Sequence, residues 1–444
     1  MKRPWMAKTG SALSLRHAVL IATVCATAAA AAPAVLDVGP QAAPGIRAIA
    51  GVRADEIGPG GIVRLHAGHY RAPIVIPLSG TAAAPIEIVG AGDGPIEIDG
   101  SIVLDHAAFV TLRGLRITRA SDAGIILRRG SHDIAVRSSA ISGTSLGIWI
   151  GDNAGDGNRI EDNTISGNAT HGIAIDGVNA EPGRETVIAR NRIADNGVHG
   201  IELSGNHYVI EGNVVSGNGR RTIGASGIHV YAQNARQGVG RYNIIRGNIS
   251  FDNRDAAAQD GNGIQLDQWC DDNEVIGNIA TGNDGAGISV FDAARARIVG
   301  NTLYGNMRDP RHSHRHKADL VFASDDTHAV DGTRDAVAEA NIVVATNPAA
   351  AAVLVDAPTS RHPPVLGNNL LWHIAGGDLA RWHGTGVKDI AAWNALAPHW
   401  AADIAGDPQF VDSTQPTWAG FMLRGDQASS WHGLGAVQDK AAAP

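Results

Sequence analysis

Residues 200–230, GIELSGNHYVIEGNVVSGNGRRTIGASGIHV, contain one full unit of the repeat that decides the fold. The unit opens with a Gly-Ile-x-Leu tetrad at Gly200, continues through aliphatic pairs, and carries two asparagines five residues apart, Asn213 and Asn218. The next tetrad begins at Gly227. Short aliphatic stretches between Gly and Asn turns predict brief β-strands and not helices.

The same unit recurs along most of the chain. The tetrad glycines are 23 to 36 residues apart, and they are Gly124, Gly147, Gly172, Gly200, Gly227, Gly263 and Gly287. The asparagine pairs keep their spacing of five, and they are Asn163/Asn168, Asn191/Asn196, Asn213/Asn218, Asn248/Asn253, Asn278/Asn283 and Asn301/Asn306. Self-similarity at such a period indicates stacked coils.

Strands alone must build each coil. Leucine-rich repeats have a similar period but need a Leu scaffold and usually a helix in each repeat, and both are missing here. We therefore predict an all-β fold, a single-stranded right-handed parallel β-helix (a solenoid), in which tetrad residues such as Ile201 and Leu203 point inward. Asparagine tolerates left-handed turns and can bond to the asparagine of the next coil, so the pairs are interpreted as a structural ladder.

The chain divides into four segments. Residues 1–34 combine a basic start, an apolar run over 18–32 and the small residues of an Ala-Pro-Ala site, which is typical of a cleaved signal peptide. The run is too short to span a membrane, so we expect a periplasmic or secreted protein. Residues 35–60 are predicted to form an N-terminal cap with a short helix over 45–57, residues 61–369 the β-helix, and residues 370–444 an irregular C-terminal cap and tail.

Composition and charge limit the choice of partners. The chain is 44% hydrophobic and 18% charged, with a formal charge of −8 that becomes −12 once segment 1–34 is removed. These values exclude a disordered polyelectrolyte and argue against nucleic-acid binding. An acidic ligand would need a local basic patch or a bridging cation. Cys270 is the one cysteine left after cleavage, so we expect no internal disulfide. We also expect a monomer that does not contact a membrane after cleavage.

Two segments carry a resemblance to a known group of enzymes. Residues 60–70, GGIVRLHAGHY, with Ser79-Gly80-Thr81 and Pro85–Ile88, resemble the first coil of exported β-helix polysaccharide lyases of the chondroitinase-B and pectate-lyase type. Residues 407–412, DPQFVD, resemble the closing coil of that group. The resemblance implies the fold and a polysaccharide substrate. Signature motifs of the mannuronan epimerases, pectate lyases and polygalacturonases are absent from the sequence, so no catalytic residue is carried over.

The position of a groove follows from the repeat. The residue between the two inward aliphatics of each tetrad points outward and forms a first column, and the residue two positions later forms a second column. Reactive side chains concentrate between Asp176 and Asp267 in these columns. Residues 177–186, 219–226, 232–243 and 254–261 exceed the minimal coil and flank the same strands, so they are predicted to wall an elongated groove.

Candidate roles follow from side-chain chemistry. The predicted catalytic residues can transfer protons or stabilise charge, and they are Glu202, His229, Tyr231, Asp267 and Lys317. The predicted substrate-binding residues are Asp176, Gln265, His199, Trp149 and Arg315. Asp267 and Asp271 are the predicted ligands of a Ca²⁺ ion. Arg315 and Lys317 belong to a basic stretch over 308–317 that is interpreted as a clamp for uronate carboxylates.

The sequence leaves the reaction open. A polysaccharide lyase acting by β-elimination is the favoured interpretation because of the resemblance. An inverting glycoside hydrolase remains an alternative, since Asp176 and Glu202 are expected about 8 Å apart from strand geometry. A C5-epimerase and a non-catalytic polysaccharide-binding or adhesin β-helix are further alternatives.

Overall fold

The computed structural model describes residues 34–48, 55–71, 73–312, 316–325, 332–425 and 430–437. Each coil contributes one strand to each of three long sheets, and almost every pairing between coils is parallel. This arrangement is the predicted single-stranded parallel β-helix. The predicted signal segment 1–34 lies outside the described residues apart from its last residue.

The first sheet has 14 strands, and the second and third have 13 each. The strands of the first sheet are Val35–Gly39, Arg47–Ala48, Ile62–Leu65, Ile86–Gly90, Val110–Arg113, Ala135–Arg137, Arg159–Glu161, Thr186–Ala189, Tyr208–Glu211, Ile244–Arg246, Glu274–Ile276, Arg297–Val299, Val337–Glu339 and Val365–Gly367. Those of the second sheet are Gly68–Arg71, Ile96–Asp99, Arg116–Thr118, Ala140–Ser142, Thr164–Ser166, Arg192–Ala194, Val214–Ser216, Ile249–Phe251, Ile279–Thr281, Thr302–Tyr304, Ile342–Ala345, Leu370–His373 and Ile404–Ala405. Those of the third sheet are Ile74–Ile76, Ile102–Asp105, Ala123–Arg128, Leu146–Ile150, Ile173–Asp176, Ile201–Ser204, Ser226–Val230, Asn262–Leu266, Ile288–Phe291, Ala318–Ala323, Ala351–Val355, Ala380–Trp382 and Thr385–Val387.

The core is a column of stacked aliphatic side chains. Ile201 pairs in register with Ile173 and Ile228, and Leu203 with Ile175 and Val230. All six are 0 or 1% exposed. The inward direction of the tetrad aliphatics is therefore confirmed, because parallel strands in strict register bring identical positions of successive coils together.

The asparagines form the predicted ladders at the edges of the second sheet. The side-chain amide of Asn191 donates to Asn213 Oδ1 at 3.0 Å, and Asn213 donates in the same way to Asn248. The second ladder repeats the pattern from Asn196 to Asn218 at 2.9 Å. These amides are fully buried, or nearly so, and satisfied by their neighbours on adjacent coils.

The two ends differ from the expectation. Arg47–Ala48 is a strand paired with Val38–Gly39, where a helix over 45–57 was predicted, and residues 49–54 lie outside the described ones. Val35–Gly39 in turn pairs with Ile62–Leu65, so the exposed backbone of the first coil is covered by further strands. Coils also continue beyond residue 370, through Leu370–His373 and Ile404–Ala405.

The C-terminal cap contains the α-helix of the described residues, Ile390–Leu396, and a short 3₁₀ helix spans Thr359–Arg361. The Asp389 side chain accepts from the Ala392 amide at 2.9 Å and caps the α-helix, whose Trp393 is fully buried. Among the described residues, no helix combines the length and the apolar character needed to cross a membrane.

Candidate active site

The outward face of the third sheet brings most of the predicted residues together. Glu202, His229 and Gln265 lie directly beside one another on three consecutive coils. Two positions along the same strands, Tyr231 and Asp267 follow His229 and Gln265. The predicted row is therefore formed, with a coil spacing of about 4.8 Å.

The other two predicted residues of this face lie on earlier coils. Asp176 is exposed and stands one coil before Ser204, and Trp149 is partly exposed and stands one coil before Ala174. Glu202 therefore stands one coil beyond Asp176 and one outward position away from it, as the sequence predicts.

A chain of hydrogen bonds links the central residues. The backbone amide of Ser226 donates to His199 Nδ1 at 3.0 Å. His199 Nε2 lies 3.1 Å from His229 Nδ1, and His229 Nε2 lies 3.1 Å from Asp267 Oδ2. His199 and His229 are 5% and 6% exposed.

The Ser226 amide determines which ring nitrogens carry protons in this series of hydrogen bonds. A ring nitrogen that accepts from an amide carries no proton, so neutral His199 carries its proton on Nε2 and donates it to His229 Nδ1. His229 then donates from Nε2 to Asp267. Burial lowers the pKa of His199 well below its usual range, which agrees with a neutral ring.

His229 is therefore engaged at both ring nitrogens. Burial lowers its pKa, but the hydrogen bond and charge of Asp267 outweigh burial and raise it. In the neutral ring Nδ1 accepts from His199 and Nε2 donates to Asp267, whereas a second proton, which the raised pKa favours, would require the His199 contact to rearrange. Both ring nitrogens of His229 have protein partners, so the proton exchange with substrate predicted from the sequence would need one of these contacts to break, and it stays a prediction.

A cavity of about 190 Å³ lies beside Asp267 on the outward face of the third sheet. Its lining includes residues that the sequence argument did not select, namely Gln259, Asp260, Asn262, Gln268, Ser289, Phe291, His312 and His316. Gln259 and Asp260 belong to the predicted wall 254–261, and His312 and His316 to the basic stretch. Their position in segments predicted to border the groove was the available sequence signal for these residues. The two outward columns of the sheet could not locate them, because the path of a loop is not set by strand spacing.

The carbonyl end of Gln265 is held in place, which orients its amide. Oε1 accepts from Ser226 Oγ at 2.6 Å and from the Asn262 side chain at 3.0 Å. Because the oxygen is occupied, the amino group is the end left to donate to a ligand in the cavity.

Tyr231 keeps its proton at neutral pH, and Asp260 gains one in mildly acidic solution. Burial, with the charges of Asp267 and Glu202 next, raises the pKa of Tyr231, so the phenol keeps its proton. Burial and the charge of Asp267 raise the pKa of Asp260 to about 6. The Tyr231 ring lies 5.4 Å from the His229 ring.

In the described part of the basic stretch, the two arginines are engaged in ion pairs and not in the predicted clamp. Arg308 pairs with Asp252 and Asp284, and Arg311 with Asp309 at 2.6 Å, so both guanidinium groups have carboxylate partners of their own. Lys317 stands at the start of the strand Ala318–Ala323, and its carbonyl accepts from Ala351. Arg315 lies outside the described residues.

Asp271, the second predicted Ca²⁺ ligand, already has protein partners. Asp271 Oδ1 accepts from the Ala294 amide, and Oδ2 lies 3.4 Å from Arg295, so Asp271 stabilises a turn. Asp260 and Asp267 instead line one cavity and offer the carboxylate oxygens that Ca²⁺ prefers.

One cluster has metal-ligand spacing in the described part of the chain. Single donor atoms of His171, His199 and Glu202 lie within 4.8 Å of one another. The His199 donor would have to be Nε2, which carries the proton once the Ser226 amide occupies Nδ1. The cluster therefore does not fit a metal ion without a rearrangement of His199.

The model of the right-handed β-helix region matches residues 100–250 and 176–327, which together make up just over half of the chain. The chain therefore belongs to the right-handed β-helix family. A search of curated protein sequences gives no match.

Solved structures show the same architecture. The A-module of the Azotobacter vinelandii mannuronan C-5 epimerase AlgE6 is 18% identical, with 79% of this chain and 92% of that one covered at a TM-score of 0.54. A mannuronic acid specific family 6 polysaccharide lyase from human gut microbiota is 12% identical, with 92% and 97% covered at a TM-score of 0.51. At these identities the likeness concerns the fold.

Proposed function

We propose that the protein is an exported enzyme that cleaves a uronate-containing polysaccharide in the groove of the third sheet by β-elimination. The observation that carries the proposal is the juxtaposition of Tyr231 and Glu202 beside the cavity lined by Gln265 and Asp267. The names of the structural neighbours, a mannuronan epimerase and a mannuronic acid specific lyase, support the same substrate class.

The two groups can divide the proton transfers. Glu202 and Tyr231 stand one coil and one outward position apart, which is about 8 Å between their backbones. The Glu202 carboxylate takes the C5 proton, and the C5–H electron pair forms the C4=C5 double bond. As the C4–O4 bond breaks, the leaving oxygen takes the phenol proton of Tyr231. The side chain of Glu202 is 27% exposed and so is open to substrate.

The acidic surroundings require a cation for an anionic substrate. Asp176, Glu202, Asp260 and Asp267 all lie along the groove, and the mature chain is acidic overall. Ca²⁺ held by Asp260 and Asp267 would neutralise the uronate carboxylate and acidify the C5 proton. The proposal therefore includes a calcium requirement.

A glycoside hydrolase is the second candidate, and Asp260 favours it. A carboxyl whose pKa is about 6 is protonated in mildly acidic solution, as a general acid must be, and the nearby Asp267 is the second carboxylate. In this alternative Asp260 protonates the leaving oxygen and Asp267 activates water.

Product analysis tests the proposal. Purified mature chain is incubated with alginate, polymannuronate, polygalacturonate and chondroitin sulfate, with Ca²⁺ or with EDTA. We expect ultraviolet absorbance from a new C4=C5 bond on one of these polymers, lost with EDTA. New reducing ends without that absorbance would establish hydrolysis instead, and inverted C5 centres in uncut polymer would establish epimerisation. No change in any polymer would overturn the enzymatic proposal.

A further inference from the structure

Trp149 lies on the same face as Tyr231 but three coils away. Its position pairs with Ala174, that of Ala174 with Glu202, and that of Glu202 with His229. Three coil steps amount to about 14 Å. Trp149 packs against the buried cluster of Val103, Ala123 and Ile126, so the indole lies on an apolar surface.

Gly151 explains the position of the indole. A Cβ at Gly151 would lie 2.3 Å from Trp149 Cζ2 and 2.4 Å from Cε2, distances that real Cβ atoms do not show. The backbone of Gly151 is not in the left-handed region, so its conformation does not call for glycine. The glycine leaves the space in which the indole lies over the strand backbone, and the Trp149 side chain stays partly exposed on the outward face of the sheet.

We propose that Trp149, seated over Gly151, is a stacking subsite for a sugar ring of the polysaccharide, three coils from the reacting position. The face of an aromatic ring carries negative charge density, so it attracts the C–H groups on one face of a pyranose ring. Aromatic side chains commonly line ligand sites for this reason. The coil spacing is close to the length of one sugar residue in an extended chain. The site therefore binds a chain of at least four residues along the stack. The reacting position rests on the proposed function, whereas the stacking itself needs only binding.

Binding and cleavage of size-defined oligosaccharides test this subsite. Mannuronate and galacturonate oligosaccharides of two to eight residues are titrated against the full mature chain, and the ¹⁵N-indole signal of Trp149, assigned with Trp149→Phe, is followed by NMR. We expect affinity to rise stepwise once a chain reaches the indole. Trp149→Ala is expected to abolish the step and weaken binding of long chains about tenfold, with disaccharides and trisaccharides unaffected.

Two further variants separate stacking from damage to the fold. Gly151→Ala keeps the indole but displaces it, and it is expected to weaken long-chain binding in the same direction. Trp400→Ala removes an indole that is 59% exposed and lies beside Gly367 of the first sheet, and it should leave binding unchanged.

The outcomes distinguish this subsite from the proposed reaction. Cleavage with the same length dependence in wild type and Trp149→Ala would overturn the subsite and leave the proposed function intact. Length-dependent binding that requires Trp149, without cleavage, would support the subsite and overturn the reaction. Absence of binding by every oligosaccharide would overturn both.

Discussion

Two stacks of side chains run along the same coils and differ in composition: the asparagine ladders at the edges of the second sheet (the ladder edge) and the outward side chains of the third sheet (the groove face). In the first ladder, asparagine follows asparagine from Asn163 to Asn369, with side-chain bonds of 2.8 to 3.0 Å at each step. On the groove face the side chain changes at every coil, from Ala174 through Glu202 and His229 to Gln265.

The difference separates architecture from chemistry. An amide satisfies both its donor and its acceptor on copies of itself, so a uniform stack needs no ligand. On the groove face, by contrast, Gln265 lines a cavity with its amino group left to donate, and the partly exposed Tyr231 stands on the neighbouring coil. Departure from the repeat therefore marks the site, and substitutions in the two regions should affect different properties.

Tyr231→Phe should give the largest effect on activity. Removal of the phenol proton is expected to lower kcat by about 10² to 10⁴-fold while the free energy of unfolding stays within about 0.5 kcal/mol of wild type. Steady-state kinetics on the cleaved polymer and chemical denaturation measure the two quantities. Full activity in this variant would assign proton donation to another group.

Asn213→Ala should give the reverse pattern. Asn213 is fully buried, donates to the Ile188 carbonyl at 2.8 Å and accepts from the Asn191 backbone amide at 2.9 Å. Its loss leaves these groups without partners, so we expect about 3 kcal/mol of destabilisation and unchanged kcat of the folded fraction. Asn234→Ala, at an exposed loop, is the matched control and should cost less than about 0.5 kcal/mol. A fall in kcat for Asn213→Ala would contradict the separation of the two regions.

The ladder ends provide a smaller and pH-dependent effect. Asp319 closes the second ladder by accepting from Asn306 at 2.8 Å through Oδ1, while its buried Oδ2 has no partner. Burial raises the pKa of Asp319 from 3.8 to about 7. Because the folded state holds the proton more tightly, the stability contributed by this group is present below about pH 4 and is lost as pH rises to about 7.

Asp319→Asn should remove that pH dependence. Between pH 5 and pH 8 the loss of unfolding free energy is expected to be about 2 to 3 kcal/mol smaller than in wild type. Asp403 closes the first ladder, but its Oδ2 accepts from Trp393 Nε1 at 3.0 Å. Asp403→Asn should therefore destabilise at both pH values, by about 1 to 3 kcal/mol. Equal behaviour of the two variants would show that the unpartnered oxygen is not the cause.

Features set by the coil repeat could be predicted from the sequence, whereas features that lie outside the repeat could not. Inward residues such as Ile201 and the row from Glu202 to Gln265 follow from period and register alone. The hydrogen-bonded pair of His199 and His229 does not, because the Ser226 amide that fixes the His199 proton is a backbone group without a side-chain signature. Asp260 and His316 reach the cavity from inserted loops, whose paths are not set by the repeat. The N-terminal strand Arg47–Ala48 replaces an expected helix because the open edge of the first coil supplies pairing partners that local propensity does not include.

Lys317→Ala should give the smallest effect and tests the boundary of the site. Lys317 precedes Ala318, which stands two coils beyond Asn262, about 10 Å along the stack. The basic stretch reaches the cavity through His312 and His316, so removal of the Lys317 ammonium is expected to change kcat/KM by less than about threefold. His316→Ala is the comparison, since His316 lines the cavity and contacts Asp356 at 3.2 Å, and it should weaken turnover more strongly. If Lys317→Ala abolished turnover while Tyr231→Phe left it intact, the proton transfers would belong to the loop, and the contrast between ladder edge and groove face would no longer locate the chemistry.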